Sequence, residues 1–495
     1  MENHNESNHN GGTFGSKDNF LVVMVMILGV FVAILNETLL NVALSKIMGD
    51  LGILPSTAQW LTTGYLLVIG VLIPVTAYLI QRFTTRSLFL TAMGLFTVGT
   101  FVAAIAPGFA VLFIGRVLQA AGTGLLFPLL TNVVFAIVSI DKRGSAMGTI
   151  GIVITFAPAI GPTLSGIIVE HFSWRVLFYS VLPIALFVII FASLKLKNMT
   201  ETTKPKIDLL SLLLSTFGFG GIVYGFSSAG EGHGGWSSNE VLIPTAIGVV
   251  SLVLFTWRQL TMAEPLLDLR TFKYNVFRMS TLIMMIVMMA MFSAMMLLPI
   301  FLQNALGYSP LEAGLVMLPG GVVMGIMSPI TGRLFDKFGA KWLAIIGLGL
   351  MANTLWQFAF ITLSTSYSTI MILNTLLMLG ISMLMMPVMT NALNELSPPL
   401  YPHGTAIIST LQQVAGAVGT ALLVTVMTNS SKQFVDNAPS MKEESALQNL
   451  AMMAGMKSAF LLAFGLVAIA WTASFFLKRS VPPEKGSESK RVSAH

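Results

Sequence analysis

The residue of this chain best placed to do chemistry is an acid inside an apolar run. Residues 21–44 read LVVMVMILGVFVAILNETLLNVAL, and Glu37 is the one charge among them. A carboxylate at membrane depth is costly, and it is uncommon unless it faces a cavity, a partner or a ligand path. A second charge, Arg116, lies in the later apolar run 110–135. Burial favours a neutral acid, whereas a nearby guanidinium favours the carboxylate. An acid balanced between the two takes up and releases protons as its surroundings change, so Glu37 and Arg116 are the candidate proton-coupling residues. The same pair is equally compatible with a fixed ion pair locking two helices, or with Arg116 as scaffold for its own helix.

Composition sets the elements that must position them. Of the 495 residues, 55% are hydrophobic and 10% charged, and the mean hydropathy is +0.82. A soluble domain typically carries about 25% charged residues, so lipid has to be the solvent for most of this surface. There is no Cys, hence no disulfide framework and no thiolate metal site. The net charge of +6 follows from the placement of loops and is no sign of nucleic-acid binding. Fourteen apolar stretches are long enough to span a bilayer: 21–44, 58–80, 87–107, 110–135, 146–168, 174–194, 208–228, 240–257, 278–303, 313–333, 342–362, 368–392, 404–428 and 456–477. The polar residues 1–19 lack the basic n-region and small-residue cleavage site of a signal peptide, so the first span is expected to be retained.

Lys and Arg orient the chain. With the N-terminus in the cytoplasm, twenty-one of the 27 fall on the cytoplasmic side; Lys46, Arg175, Lys432, Lys442 and Lys457 fall outside, and Arg116 within a span. Both termini are therefore expected in the cytoplasm.

The chain also repeats itself. Ala77-Tyr-Leu-Ile-Gln81-Arg82-Phe-Thr-Thr-Arg86, after span 2, aligns without gaps on Gly332-Arg-Leu-Phe-Asp336-Lys337-Phe-Gly339-Ala-Lys341, after span 10, at an offset of 255. Arg143-Gly144-Ser145-Ala146 and His403-Gly404-Thr405-Ala406, before spans 5 and 13, pair at an offset of 260. Two six-span halves separated by a two-span insert explain both offsets. Many secondary transporters are built from such halves, with the substrate site between them.

The loop pattern of Gly332, Asp336, Lys337, Gly339 and Lys341 resembles the signature of the major facilitator superfamily between its spans 2 and 3. Leu112-Phe-Ile-Gly-Arg116-Val-Leu-Gln119-Ala-Ala-Gly122-Thr-Gly124 is similar to that superfamily's motif with an intramembrane Arg, and Ala157-Pro158-Ala-Ile-Gly161-Pro162-Thr-Leu-Ser165-Gly166 to its antiporter motif. Leu35-Asn36-Glu37-Thr38-Leu-Leu-Asn41-Val42-Ala43-Leu44, with Gln59-Trp60 and Ser173-Trp174-Arg175, resembles the fourteen-span drug:proton antiporters of the EmrB/QacA type. The likeness runs over about residues 20–480. Two departures stand against it. The usual acid of span 1 is Asn36 here and Glu37 follows it, about 100° further around the helix. The first loop motif is degraded, with Ala77, Gln81 and Thr84 for Gly, Asp and Gly. The later copy is intact, so the C-terminal half is expected to carry more of any cytoplasmic latch.

Glu37 and Arg116 each sit about six or seven residues from the outer end of their spans, and so at matching depth, ~10 Å below the interface at ~1.5 Å per residue. They are expected to meet if spans 1 and 4 are neighbours. In span 5, Ala157, Gly161 and Ser165 share one helix face, which suits a close contact with the C-terminal half or ordinary small-residue packing. Gly161, Pro162, Gly166, Arg82, Gly332, Asp336, Lys337 and Gly339 are the candidate gating residues; Asp336 in particular suits capping a helix end or pairing across to the other half. Asn41, Gln59, Asn132, Met295, Asn391 and Gln412 are candidates for the substrate cavity, with the Met clusters at 284–296 and 383–386 as an adaptable surface or as simple packing.

The expected fold is an all-α integral membrane protein of fourteen transmembrane helices, two six-helix major-facilitator bundles plus a two-helix insert. Its parts are a cytoplasmic tail (1–19), a first bundle (20–198), the insert with its linkers (199–262), a second bundle (263–478) and a cytoplasmic tail (479–495). The insert reads as accessory packing away from the substrate path. No phosphate-cradling P-loop and no H-E-x-x-H helix occurs, so the chain reads as no enzyme, with no cofactor or metal. The implied function is proton-coupled export of amphipathic drugs across the cytoplasmic membrane by a monomer, with protons, small molecules and lipid as partners and no nucleic acid. The alternatives are an exporter of one endogenous metabolite or lipid, and a non-transporting receptor or scaffold.

Overall fold

Long apolar runs in lipid fold as helices because no water is present to satisfy free backbone groups. A computed structural model describes residues 17–53, 55–199, 202–203, 208–230, 236–437 and 444–480. The two tails beyond these limits and the outer turn 231–235 of the insert lie outside the described residues. The helices are α1 (Lys17–Leu51), α2 (Pro55–Arg82), α3 (Thr85–Ala104), α4 (Phe109–Ile137), α5 (Arg143–His171), α6 (Arg175–Lys195), α7 (Leu209–Gly230), α8 (Asn239–Thr261), α9 (Asn275–Asn304), α10 (Pro310–Phe338), α11 (Ala340–Phe358), α12 (Tyr367–Ser382), α13 (Met385–Asn394), α14 (Tyr401–Asn437) and α15 (Glu444–Ser474). Short 3-10 turns precede α5, α9 and α14, and no strand occurs among the described residues.

Thirteen helical stretches are long and apolar enough to cross a membrane. The expected span 342–362 corresponds to α11, which is not among them: Lys341, Asn353 and Gln357 dilute its apolar content. The expected span 368–392 is two helices, α12 and α13, broken at Met383 and Leu384. Pro387 has no N–H to return to the carbonyl of residue 383 and disfavours helix just before itself, so the chain breaks there.

Helices α1 to α6 pack on one another, and α9 to α15 form a second group around α9, α10 and α14. The groups meet along two seams. At one, α5 lies along α10; at the other, α2 lies along α14. Both loop motifs sit at the same end of the bundle, called the motif end below. Here Gly339, at φ +79°, stops α10 in a conformation that a side chain would strain. At the opposite end, the Trp174 indole and the Arg175 guanidinium donate to Asp50 at 2.9 and 3.1 Å, holding that carboxyl below its usual range and pinning α6 to α1.

The insert is less remote than its place in the repeat suggests. Helices α7 and α8 pair closely, and α7 packs against both α2 and α14. The Trp60 and Tyr224 rings stack 5.6 Å apart, and the Trp236 indole N–H donates to Thr425 Oγ1 on α14 at 2.6 Å. The insert packs over the α2–α14 seam. Arg258 donates to both Asp208 oxygens, Nε at 2.7 and NH2 at 3.0 Å, and joins the ends of α7 and α8.

The Arg258 hydrogen bonds hold the Asp208 carboxyl down at about 2, from an ordinary 3.8. A depressed acid stabilises the fold above its unfolded value and loses that contribution as pH falls through the folded one. Asp208→Asn is accordingly expected to lower stability at neutral pH by at most about 1 kcal/mol, since the pair is partly exposed. The difference from the parent should shrink as pH falls from about 4 toward 2. Thermal unfolding in detergent across that range checks it.

Candidate functional site

Arg116 is 1% exposed, near the start of α4. A buried guanidinium is tolerable only if its donors are met. Here Nε donates to the Leu61 carbonyl of α2 at 3.3 Å, and NH1 donates to Asn36 Oδ1 of α1 at 3.1 Å and to Gln119 Oε1 at 3.0 Å. The Tyr65 ring lies 4.0 Å below the guanidinium carbon, a cation–π contact. Gln119 is held in turn, its Nε2 donating to Thr100 of α3 at 2.9 Å, and the Tyr65 hydroxyl donates to Thr123 at 2.9 Å. Four helices thus converge on one cation.

The expected pairing of Glu37 with Arg116 is corrected. Spans 1 and 4 are neighbours at the expected depth, but the α1 side chain that bonds Arg116 is Asn36. Among the described residues no ion pair joins Glu37 to Arg116. The step of one residue turns Glu37 about 100° away, and it stays half-buried while Asn36 is 2% exposed. Glu37 is therefore an acid beside a fixed cation, without the direct bond that would lock it charged.

Of the two alternatives for the antiporter-like face of α5, small-residue packing is the one observed. A Cβ at Gly161 would overlap the Thr38 hydroxyl, and Ser165 Oγ donates to the Leu39 carbonyl at 2.6 Å. This face grips α1, next to Glu37. Gly166 has open space where a side chain would go, so it is no contact point. The glycines that meet the C-terminal half are Gly144, Gly148 and Gly151, which let α5 lie directly on Gly332, Pro329 and Ser328 of α10.

At the motif end Asp336 reaches across that seam. Its carboxylate accepts from the Gly144 N–H at 2.8 Å, the Ser145 N–H at 2.9 Å and the Ser145 hydroxyl. These are free donors of the first turn of α5, where an acid is favoured by the helix dipole. Beside it, Arg143 is 6% exposed. It donates to Asn394 Oδ1 and the Tyr401 hydroxyl, both at 3.0 Å, and to the Phe135 and Val138 carbonyls. In the sequence Arg143 reads as a basic loop residue and as the counterpart of His403 in the repeat, with no gating role. Its position directly before the Gly144-Gly148-Gly151 stripe was the available signal. Of the other candidate gating residues, Gly332 is packed in the seam, Gly339 ends α10, and Arg82 and Lys337 are exposed.

The candidate cavity residues scatter. Asn132 is buried in α4, and Met295 and Gln412 are half-buried on α9 and α14. The side chains of Asn41, Gln59 and Pro162 lie outside the described residues. Asn391 is corrected outright: it sits at the motif end, bonding Ser280 at 3.5 Å and donating to the Lys478 carbonyl at 3.1 Å, while its Oδ1 accepts from the Ser480 N–H at 3.0 Å. It anchors the segment after α15.

Comparison with known proteins agrees with this architecture. The profile of the Major Facilitator Superfamily matches residues 26–420 and, in a second match, 281–494. The lincomycin resistance protein LmrB of Bacillus subtilis (strain 168) is 48% identical over 458 residues, covering 92% of this chain and 95% of the relative. A multidrug resistance protein B homolog of Mycobacterium tuberculosis (strain ATCC 25618 / H37Rv) is 30% identical over 407 residues, 82% of this chain and 75% of its own. The crystal structure of the human organic anion transporter MFSD10 (TETRAN) superposes with a TM-score of 0.67 at 13% identity, covering 93% of this chain and 100% of that one; it is similar in fold.

The cage around Arg116 uses the planar fork, so charge alone will not replace it. Arg116→Lys is expected to destabilise the protein by about 2 kcal/mol through unmet buried acceptors. Glu37→Gln, which breaks no bond to Arg116, should cost much less. Thermal unfolding of the two variants tests the assignment, and equal losses would contradict it.

Proposed function

The chain belongs to the Major Facilitator Superfamily, and on that premise we infer that it is a proton-coupled exporter of amphipathic drugs of the fourteen-span EmrB/QacA type, working by alternating access in the cytoplasmic membrane. Members of this superfamily are transporters and not enzymes, and this one is a multi-pass membrane protein. Counting α11 as a span, about 28 Å long at 1.5 Å per residue, gives fourteen and puts the first and last described residues, Lys17 and Ser480, at the motif end, which we assign to the cytoplasm.

The observation that carries the reading is the half-buried acid in α1, next to a cation held by neutral partners. A coupling group has to change charge during the cycle, and Glu37 is not tied up in an ion pair among the described residues. The tight α1–α5 contact at Thr38 and Gly161 lies one residue away, so a shift of α5 against α1 alters the surroundings of Glu37. Asp336 and Arg143, which join the halves at the motif end, supply the closed state of the cytoplasmic side. The likeness to a lincomycin resistance protein over nearly the whole chain supports a lincosamide among the substrates, and the two half-buried side chains Met295 and Gln412 suit a ligand with apolar and polar parts.

Proton-driven uptake of lincomycin into inverted vesicles tests this. The parent should accumulate drug under an imposed proton gradient. Glu37→Gln should abolish gradient-driven accumulation and still permit downhill movement; full gradient-driven transport by this variant would sink the reading. Asp336→Asn should stay folded and slow turnover severalfold, since charge-assisted bonds contribute about 1.5–3 kcal/mol. A normal rate would remove the latch role from Asp336.

A further inference from the structure

The two seams are closed by different means. At α5–α10 an acid from one half holds the first turn of a helix in the other. At α2–α14 the equivalent position is Gln81, and the equivalent of Arg143 is His403. These two neutral side chains meet, the Gln81 amide 3.0 Å from His403 Nε2; because the ring accepts through Nδ1, Nε2 carries its proton and donates to the amide oxygen. The linkers of the insert hold Gln81 through its main chain and His403 through its ring. The Thr203 N–H, on the chain entering α7, donates to the Gln81 carbonyl at 2.9 Å. The Asp268 N–H, on the chain leaving α8, donates to His403 Nδ1 at 3.2 Å. Gln259 ties the second linker to the insert: its Nε2 donates to Ser211 and its Oε1 accepts from the Leu267 N–H at 3.0 Å. Above these contacts α7 covers both seam helices.

We propose that the two-helix insert is a clamp on the α2–α14 seam, its two linkers docked on Gln81 and His403 to hold the motif end closed where the first loop motif has no acid. The chemistry of the junction explains the missing acid. A cavity of about 390 Å³ at this point is lined by Asp208, Glu264 and Asp268 together with Gln81, Thr203 and His403. A carboxylate at position 81 would be a fourth acid in one small space, and like charges held close oppose one another. The neutral amide avoids that repulsion and bonds the His403 ring, while one linker N–H holds the Gln81 main chain and the other holds His403. An insert that bonds both halves also has to release one of them whenever the seam opens, so it sets the stability of the closed state.

The proposal rests on the alternating-access reading, and its test reads distances instead of drug movement. The native chain has no Cys, so spin labels can be placed in the full-length protein without removing any. One pair, Phe83→Cys with Pro398→Cys, reports the α2–α14 seam at the motif end; a second, Lys142→Cys with Phe338→Cys, reports α5–α10. Two changes are then made in each background. Thr203→Pro deletes the linker N–H, and His403→Ala removes the ring that both Gln81 and the other linker hold. Each should raise the ratio of wide to narrow distances at α2–α14 by about three- to tenfold, the worth of one or two hydrogen bonds. The α5–α10 distances should keep the parent distribution, which also shows that the variant is folded. An unchanged α2–α14 distribution in either variant overturns the clamp. Absence of gradient-driven transport in a protein whose distances respond as described counts against the transport reading and leaves the clamp standing.

Discussion

A guanidinium taken out of water has to find its hydrogen bonds inside the protein, and that constraint organises the N-terminal half. Arg116 draws the Leu61 carbonyl of α2, Asn36 of α1 and Gln119 of its own helix to one point, and Gln119 extends the set to Thr100 of α3. The cost of burying the charge falls if all of these remain in place together. The four helices therefore behave as one body around the cation, and the freedom needed for a transport cycle is left to surfaces between bodies. Glu37 follows Asn36 in sequence and adjoins the α1–α5 contact, within the N-terminal half.

The two bodies meet asymmetrically although the chain repeats. Glycines at 144, 148 and 332 bring α5 and α10 so close that there is no room for a Cβ, and Asp336 and Arg143 cross that narrow gap. On the other side Ala77 replaces the glycine and Gln81 the acid, and a third element, the insert, lies over the join. The repeat places equivalent positions at the two seams. One is now dominated by charge-assisted bonds and the other by neutral contacts with an added pair of helices.

Much of this was legible in the sequence. Apolar length located nearly every helix, because lipid admits few alternatives, and the offset of 255 singled out Asp336, which does cap a helix of the opposite half. What failed was azimuth. Depth arguments placed Glu37 and Arg116 at one level, but whether residue 36 or 37 faces α4 depends on the packing of α1 against three neighbours. Likewise α5 carries two small-residue faces, 144/148/151 and 157/161/165, and periodicity alone does not say which one meets α1 and which α10. Asn391 looked like any other amide within a span. Its partners are Ser280 and residues 478–480, nearly ninety or more positions away, and no local pattern announces them.

The length of α14 has a mechanical consequence. Thirty-seven residues make a rod about 55 Å long at 1.5 Å per residue, against a hydrocarbon layer of about 30 Å. Tyr401, at its first residue, is buried among the contacts of the motif end, so the surplus projects at the opposite end. A helix with its hydrogen-bond ladder intact tilts as a unit, and a 10° tilt about the anchored end carries the far tip about 10 Å. Small adjustments around Tyr401 and His403 are thereby geared up into large displacements on the other side of the bilayer, with the lever itself serving as the transmission.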